Sequence, residues 1–124
     1  MIKLMIVEDN EVVRQGLSHL LAAEAGIAIV ADAQSGAIAL EKLESGIWVD
    51  VMLIDWNMPG LSGVDLTRRV KLLMPHIKVI ILTMHSKDEY RMQAINAGAS
   101  AYVLKDLAIE DLAKIIREVY AKCS

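Results

Sequence analysis

A handful of residues in this chain could do chemistry together: the adjacent pair Glu8-Asp9, then Asp55, Thr83 and Lys105. Each sits at the end of a short apolar run. Three carboxylates in one crevice repel each other and take up protons unless a cation neutralises them. A hard divalent ion with oxygen ligands answers that need, and Mg²⁺ suits a site of few carboxylates and several waters. Bare phosphate would be repelled here, so an ion has to accompany it. Asp55 is then the candidate nucleophile, because a carboxylate can accept a phosphoryl group and form an acyl phosphate. Lys105 would pair with one phosphoryl oxygen and the Thr83 hydroxyl would donate to another. Asn57, two residues past Asp55, cannot act as a general acid or base, and no histidine obviously joins the cluster. Such a site takes a phosphoryl group but is poorly equipped to release it quickly, which suits a signal.

Each residue alone also has an ordinary reading. Glu8 and Asp9 could be a charge pair at a helix N-terminus. Asp55 could start an Asx-turn ahead of Pro59-Gly60. Thr83 could be a plain strand residue, and Lys105 a solvated one. What separates the readings is whether the elements bring the five to one edge.

The apolar runs read as strands: Ile2 to Val7, Ile27 to Ala33, Val51 to Ile54, Val79 to Leu82 and Ala101 to Leu104. They are apolar on both faces, as parallel strands covered on two sides must be. Between them lie amphipathic stripes: Val13, Leu17, Leu20 and Leu21; Ile38, Leu40 and Leu43; Val64, Leu66, Val70 and Leu73; Tyr90, Ala94, Ile95 and Ala97. The last, Ile109, Leu112, Ala113, Ile116 and Tyr120, is the clearest. Ser62-Gly63-Val64-Asp65 and Ser86-Lys87-Asp88-Glu89 look like capping boxes, and Gly26 and Gly98 like helix ends. Alternating strands and helices predict a doubly wound α/β (βα)5 sandwich of the flavodoxin type, a five-stranded parallel sheet in the order 2-1-3-4-5. Function in such sheets gathers at the carboxyl ends of the strands, where all five residues fall.

Composition narrows the field. The length suits one domain over residues 1–124, and the hydrophobic share of 55% against 23% charged excludes a disordered chain. A formal net charge of −3 argues against direct nucleic-acid binding. The single cysteine, Cys123, rules out an internal disulfide, making the cytoplasm the expected compartment. The apolar runs are too short to span a bilayer, and the N-terminus has no signal-peptide pattern.

These residues closely resemble the receiver domain of bacterial two-component response regulators, over nearly the whole chain. The likeness rests on Ile6-Val7-Glu8-Asp9-Asn10, Asp55-Trp56-Asn57-Met58-Pro59-Gly60, Leu82-Thr83, and the stretch from Gly98 through Tyr102 to Lys105-Asp106. It implies that Asp55 is phosphorylated by a sensor histidine kinase or a small phosphodonor such as acetyl phosphate. It also implies Mg²⁺ held by Asp9, Asp55 and the backbone carbonyl of Asn57, with Glu8 acting largely through water. Thr83 and Tyr102 match the family's switch pair, which alters the surface of the fourth helix, fifth strand and fifth helix. Leu82-Thr83-Met84-His85-Ser86 and Leu104-Lys105-Asp106 look most like the LuxR/NarL class, whose chains continue into a helix-turn-helix DNA-binding domain that controls transcription.

Some positions depart from the commonest pattern. Met84 replaces a frequent Ala and would narrow access to the phosphoryl group. Asp106 replaces a frequent Pro, and a cis bond before it would cost about 3 kcal/mol, leaving the bond's geometry open. Trp56 reads equally as a gate or partner contact and as a loop aromatic covering the sheet edge, and His85 as rim. His19 and His76 read as surface residues, and Cys123 as inert. Ala108, Leu112, Ile115 and Val119 add a second apolar stripe whose extra width hints at a homodimer or interdomain face. The rival readings are a flavin or nucleotide module, which lacks its glycine-rich loop, and an aspartyl phosphatase, which Asn57 argues against. A free-standing receiver and a phosphorylation-independent pseudo-receiver remain the alternatives.

Overall fold

β-branched and other apolar residues crowd five short segments, and these pair as one parallel sheet in the order β2-β1-β3-β4-β5. The computed structural model describes residues 1–84 and 87–122. The strands are β1 Ile2–Val7, β2 Ile27–Ala33, β3 Val51–Asp55, β4 Lys78–Thr83 and β5 Ala101–Leu104. The helices are α1 Glu11–Ala22, α2 Gly36–Glu44, α3 Gly63–Leu73, α4 Asp88–Asn96 and α5 Ile109–Ala121.

Strand alternation divides the interior in two. Met5, Val7, Met52, Ile54, Val79 and Ile81 face one layer, closed by Ala39 and Leu43 of α2, Leu66 and Val70 of α3 and Ala94 of α4. Leu4, Ile6, Leu53, Ile80, Leu82 and Val103 face the other, closed by Leu21 of α1 and Leu112, Ala113, Ile116 and Val119 of α5. Consecutive residues on a strand point to opposite faces, so a strand covered on both sides is apolar throughout.

Side chains start three of the helices. Asn10 accepts from the Val13 amide at 3.1 Å, Ser35 from Ile38 at 3.2 Å, and Ser62 from Asp65 at 3.2 Å. Of the box expected at Ser62 only the hydroxyl half is in place, because the Asp65 carboxylate accepts from Arg68 at 3.0 Å instead. The one expected at Ser86 lies outside the described residues, and α4 begins after Lys87 with no side-chain cap bond. Gly98 ends α4 at φ 109°, a left-handed conformation that suits glycine.

Several expectations need correction. Gly26 does have a positive φ, yet α1 ends earlier, capped by Ala23, and Gly26 serves the turn into β2. Val13, Leu20, Leu73, Ile95 and Tyr120 are exposed, although they completed the apolar stripes. Val13 and Leu20 lie at the edge of the α1 face that packs Leu17 and Leu21 on the core, while Leu73, Ile95 and Tyr120 fall in the last turns of their helices. The second stripe of α5 goes largely to the core: Val119 is buried and Ile115 packs against the same layer. The width that hinted at a homodimer face is thus mostly used inside the domain. Among the described residues no peptide bond is cis, so Lys105-Asp106 is trans.

Candidate functional site

The sheet brings the acidic and basic residues together at the carboxyl ends of its central strands. Val7 pairs with Ile54, which sets Glu8 and Asp9 beside Asp55. Asp55 pairs with Leu82 and Thr83 with Leu104, which sets Thr83 and Lys105 along the same edge. Glu8, Asp9 and Asp55 each offer a carboxylate oxygen within 4.8 Å of the others. The Lys105 ammonium reaches across from the far side, 2.8 Å from Asp55 Oδ1 and 3.1 Å from Glu8 Oε1. Glu8, Asp55 and Thr83 are buried, whereas Asp9 and Asn57 are exposed at the mouth.

Backbone contacts hold the acceptor strand in place. The Trp56 amide donates to the Leu82 carbonyl at 2.8 Å, continuing the ladder past Asp55. The Gly63 amide donates back to the Trp56 carbonyl at 3.1 Å. A Cβ on Gly63 would lie 2.4 Å from the Asp55 carbonyl oxygen, so α3 can start this close to β3 only with glycine. The sequence marked Gly63 only as part of a helix start. Nothing in its spacing tells that the next layer comes so near.

The Trp56 ring belongs to an aromatic group. It meets Tyr102 edge-on at 6.3 Å and Tyr90 of α4 edge-on at 5.4 Å. These contacts make Trp56 a packing link between the acceptor loop and the α4–β5 side. Tyr90 was read only as part of a helical stripe. Met84 is mostly exposed and lines, with Thr83, Lys105 and Asp106, a small cleft of about 80 Å³. His19 and His76 are exposed as expected, and His76 stacks on Trp48 at 4.2 Å. His85 and Cys123 lie outside the described residues.

The profile of the response regulator receiver domain matches residues 4–117. This chain is a response regulator receiver domain. The receiver is 36% identical over 121 residues to response regulator GacA of Pseudomonas aeruginosa, covering 98% of this chain and 56% of that protein. It is 38% identical over 121 residues to the DNA-binding transcriptional activator DevR/DosR of Mycobacterium tuberculosis, covering 98% and 55%. The chain spans about half the length of the curated relatives it matches. A LuxR-family DNA-binding response regulator from Staphylococcus aureus superposes with TM-score 0.89 at 31% identity, covering 97% of this chain and 99% of that one. The receiver domain of the NarL regulator of Mycobacterium tuberculosis superposes with TM-score 0.91 at 24% identity over 98% of both chains, a likeness of fold. The receiver is most like those of the LuxR/NarL class.

Charge in the receiver's pocket is unevenly balanced. A hydrogen bond to Glu8 pushes the Asp9 carboxyl above its ordinary value; loss of hydration and the Glu8 charge add to this, against a backbone hydrogen bond and Lys105. Burial pulls Lys105 down, but its hydrogen bonds to Asp55 and Glu8 and their charges outweigh it and leave its value raised. A raised folded value means that the folded state prefers the neutral Asp9. The Asp9 charge therefore opposes folding above that value, and the loss disappears as pH falls through it. Asp9→Asn is expected to melt higher than the wild-type receiver at neutral pH without metal, with the two converging in acid. Added Mg²⁺ should favour the wild type and close or reverse the gap. Melting curves at two pH values, with and without Mg²⁺, check this.

Proposed function

We propose that the receiver is a Mg²⁺-dependent phosphoacceptor whose modified form presents a changed protein-binding surface. The observation that carries this is the Lys105 ammonium 2.8 Å from Asp55 Oδ1, beside three carboxylates whose oxygens lie within 4.8 Å of one another. Oxygen donors only, in negative excess, are what a hard divalent cation takes. Asp9, Asp55 and the Asn57 carbonyl would hold it, with Glu8 acting through water. When bound, Mg²⁺ neutralises the carboxylates and the incoming phosphoryl oxygens.

The residues then divide the work. An Asp55 oxygen attacks phosphorus, a P–O bond forms to Asp55, and the P–N bond to the kinase histidine breaks. The imidazole leaves with the bonding electrons and takes up a proton. Lys105 releases its hold on the Asp55 carboxylate and pairs with a phosphoryl oxygen. Thr83, at the end of β4, donates its hydroxyl to another, and Tyr102 follows inward, biasing the α4–β5–α5 surface. The rings of Trp56 and Tyr102, in contact at 6.3 Å, support a link between acceptor loop and switch.

The donor is a sensor histidine kinase, or acetyl phosphate in the test tube. Residues 1–124 make one receiver unit in the cytoplasm, and the surface governs a helix-turn-helix DNA-binding domain, and so transcription, in the full protein. A relative about twice as long with DNA-binding in its name supports that output, as does the DNA-binding regulator from which the Staphylococcus aureus structure comes. Among the described residues no helix is long and apolar enough to cross a membrane.

The test is intact-mass spectrometry after incubation with acetyl phosphate and Mg²⁺. One phosphoryl adduct is expected on the wild type, with the rate falling about a thousandfold or more in Asp55→Asn. Omitting the metal should likewise suppress it. An adduct of equal yield on Asp55→Asn would reject Asp55 as the acceptor.

A further inference from the structure

We infer that Arg14 is a positioning residue for the metal side of the pocket, acting through the peptide that joins Glu8 to Asp9; this rests on the phosphoacceptor reading above. β1 ends at Val7, and one residue on, the Glu8 amide still donates to the Ala33 carbonyl of β2 at 3.0 Å. The Glu8 carbonyl instead accepts from the Arg14 guanidinium, Nη1 to oxygen at 2.9 Å. That carbonyl and the Asp9 amide share one rigid plane, so fixing the first sets where Asp9 leaves the strand.

Arg14 is itself firmly placed. It lies in the first turns of α1, whose start is tied to the same loop by Asn10 accepting from the Val13 amide. Its side chain is only 12% exposed, and its Nε lies 3.8 Å from Asp32 Oδ2 at the end of β2. The other side of Glu8 is held as well. Its carboxylate accepts from Lys105 at 3.1 Å and from the Asn10 amide at 3.3 Å. Glu8 is thus gripped at both backbone and side chain, which leaves Asp9 as the exposed member of the acidic set, aimed by its neighbour. A guanidinium suits the task because its planar fork fixes direction and keeps its charge at every working pH. Outer partners of this kind commonly change metal affinity by about 10- to 100-fold when removed.

The test is a calorimetric Mg²⁺ titration of the whole chain, with no phosphodonor present. The variants are Arg14→Met, Arg14→Lys, Asp32→Asn and Asp9→Asn, each with its metal-free melting temperature. Arg14→Met should raise the Mg²⁺ dissociation constant about tenfold or more. Arg14→Lys, which keeps the charge but loses the fork, should raise it several-fold, and it decides the matter if Arg14→Met does not fold. Asp32→Asn, which removes only the longer ion pair, should leave it within about twofold of wild type. Wild-type affinity in both Arg14 variants overturns the inference while the phosphoacceptor reading stands. A loss in Asp32→Asn as large as in Arg14→Met also overturns it, because Arg14 would then merely tie α1 to β2. Wild-type Mg²⁺ binding that is absent, or unaffected by Asp9→Asn, removes the metal reading and the Arg14 role with it.

Discussion

Replacing Lys105 with methionine should slow phosphorylation of Asp55 by about a hundredfold at fixed Mg²⁺ and acetyl phosphate, the usual loss when one oxyanion-stabilising donor is removed. Methionine keeps the apolar stem and removes the ammonium, so the effect isolates charge. The same change should destabilise the metal-free domain. Lys105 bridges two buried carboxylates, with its own side chain 25% exposed. Breaking a buried pair costs about 3 to 5 kcal/mol, and partial exposure puts this one near about 2 to 3 kcal/mol. The folded Lys105 titrates above its ordinary value, so its contribution is complete at neutral pH and is lost only as pH rises through that higher value. Urea denaturation at neutral pH reads the loss, and Mg²⁺ should narrow it by neutralising the same carboxylates. Unchanged stability together with an unchanged phosphorylation rate would contradict the geometry described for Lys105.

Gly63→Ala should be the most damaging single-methyl change available near the pocket. The added Cβ would sit 2.4 Å from the Asp55 carbonyl oxygen and 3.0 Å from the Trp56 Cα. Both neighbours are backbone, so neither can rotate aside, and α3 or the acceptor strand has to move. Overpacking typically costs about 1 to 3 kcal/mol, and a rigid backbone clash belongs at or above about 3 kcal/mol. Phosphorylation of the folded fraction should fall as well, since the displaced carbonyl belongs to Asp55. Gly16→Ala supplies the contrast. Gly16 lies inside α1 with nothing within 4 Å of an added Cβ. That substitution should stabilise by about 0.5 to 1 kcal/mol. Thermal or urea melts of the two variants should therefore move in opposite directions.

The strands were nearly all legible in the sequence, because burial on both faces leaves an unbroken apolar run. Ile2–Val7, Ile27–Ala33 and Ala101–Leu104 agree end to end with the expectation. β3 and β4 run further, to Asp55 and from Lys78 to Thr83, because polar residues go on pairing after the apolar pattern stops. Helix faces were less legible. A stripe such as Val13, Leu17, Leu20 and Leu21 declares a helix, but its burial depends on how much of the neighbouring layer covers it. The expected acidic residues and Lys105 do meet, and Thr83 lies on the same edge. Arg14 and Gly63 escaped because their importance lies in a distance to a backbone oxygen, which no residue spacing records. Tyr90 escaped for a similar reason: its contact with Trp56 joins a helix to a loop far from it in sequence.

The two partners of Lys105 also set when the pocket can come into being. Glu8 and Lys105 stand 97 positions apart in the chain, and the strands carrying them lie on either side of β3 and β4. Asp55 leaves the ribosome long before its lysine does. A nascent or truncated chain therefore carries the acceptor carboxylate without the cation that partners it, and parallel pairing over such separations forms late. Competence to receive the signal is in this way a certificate of a finished receiver, issued only when β5 has been made and docked.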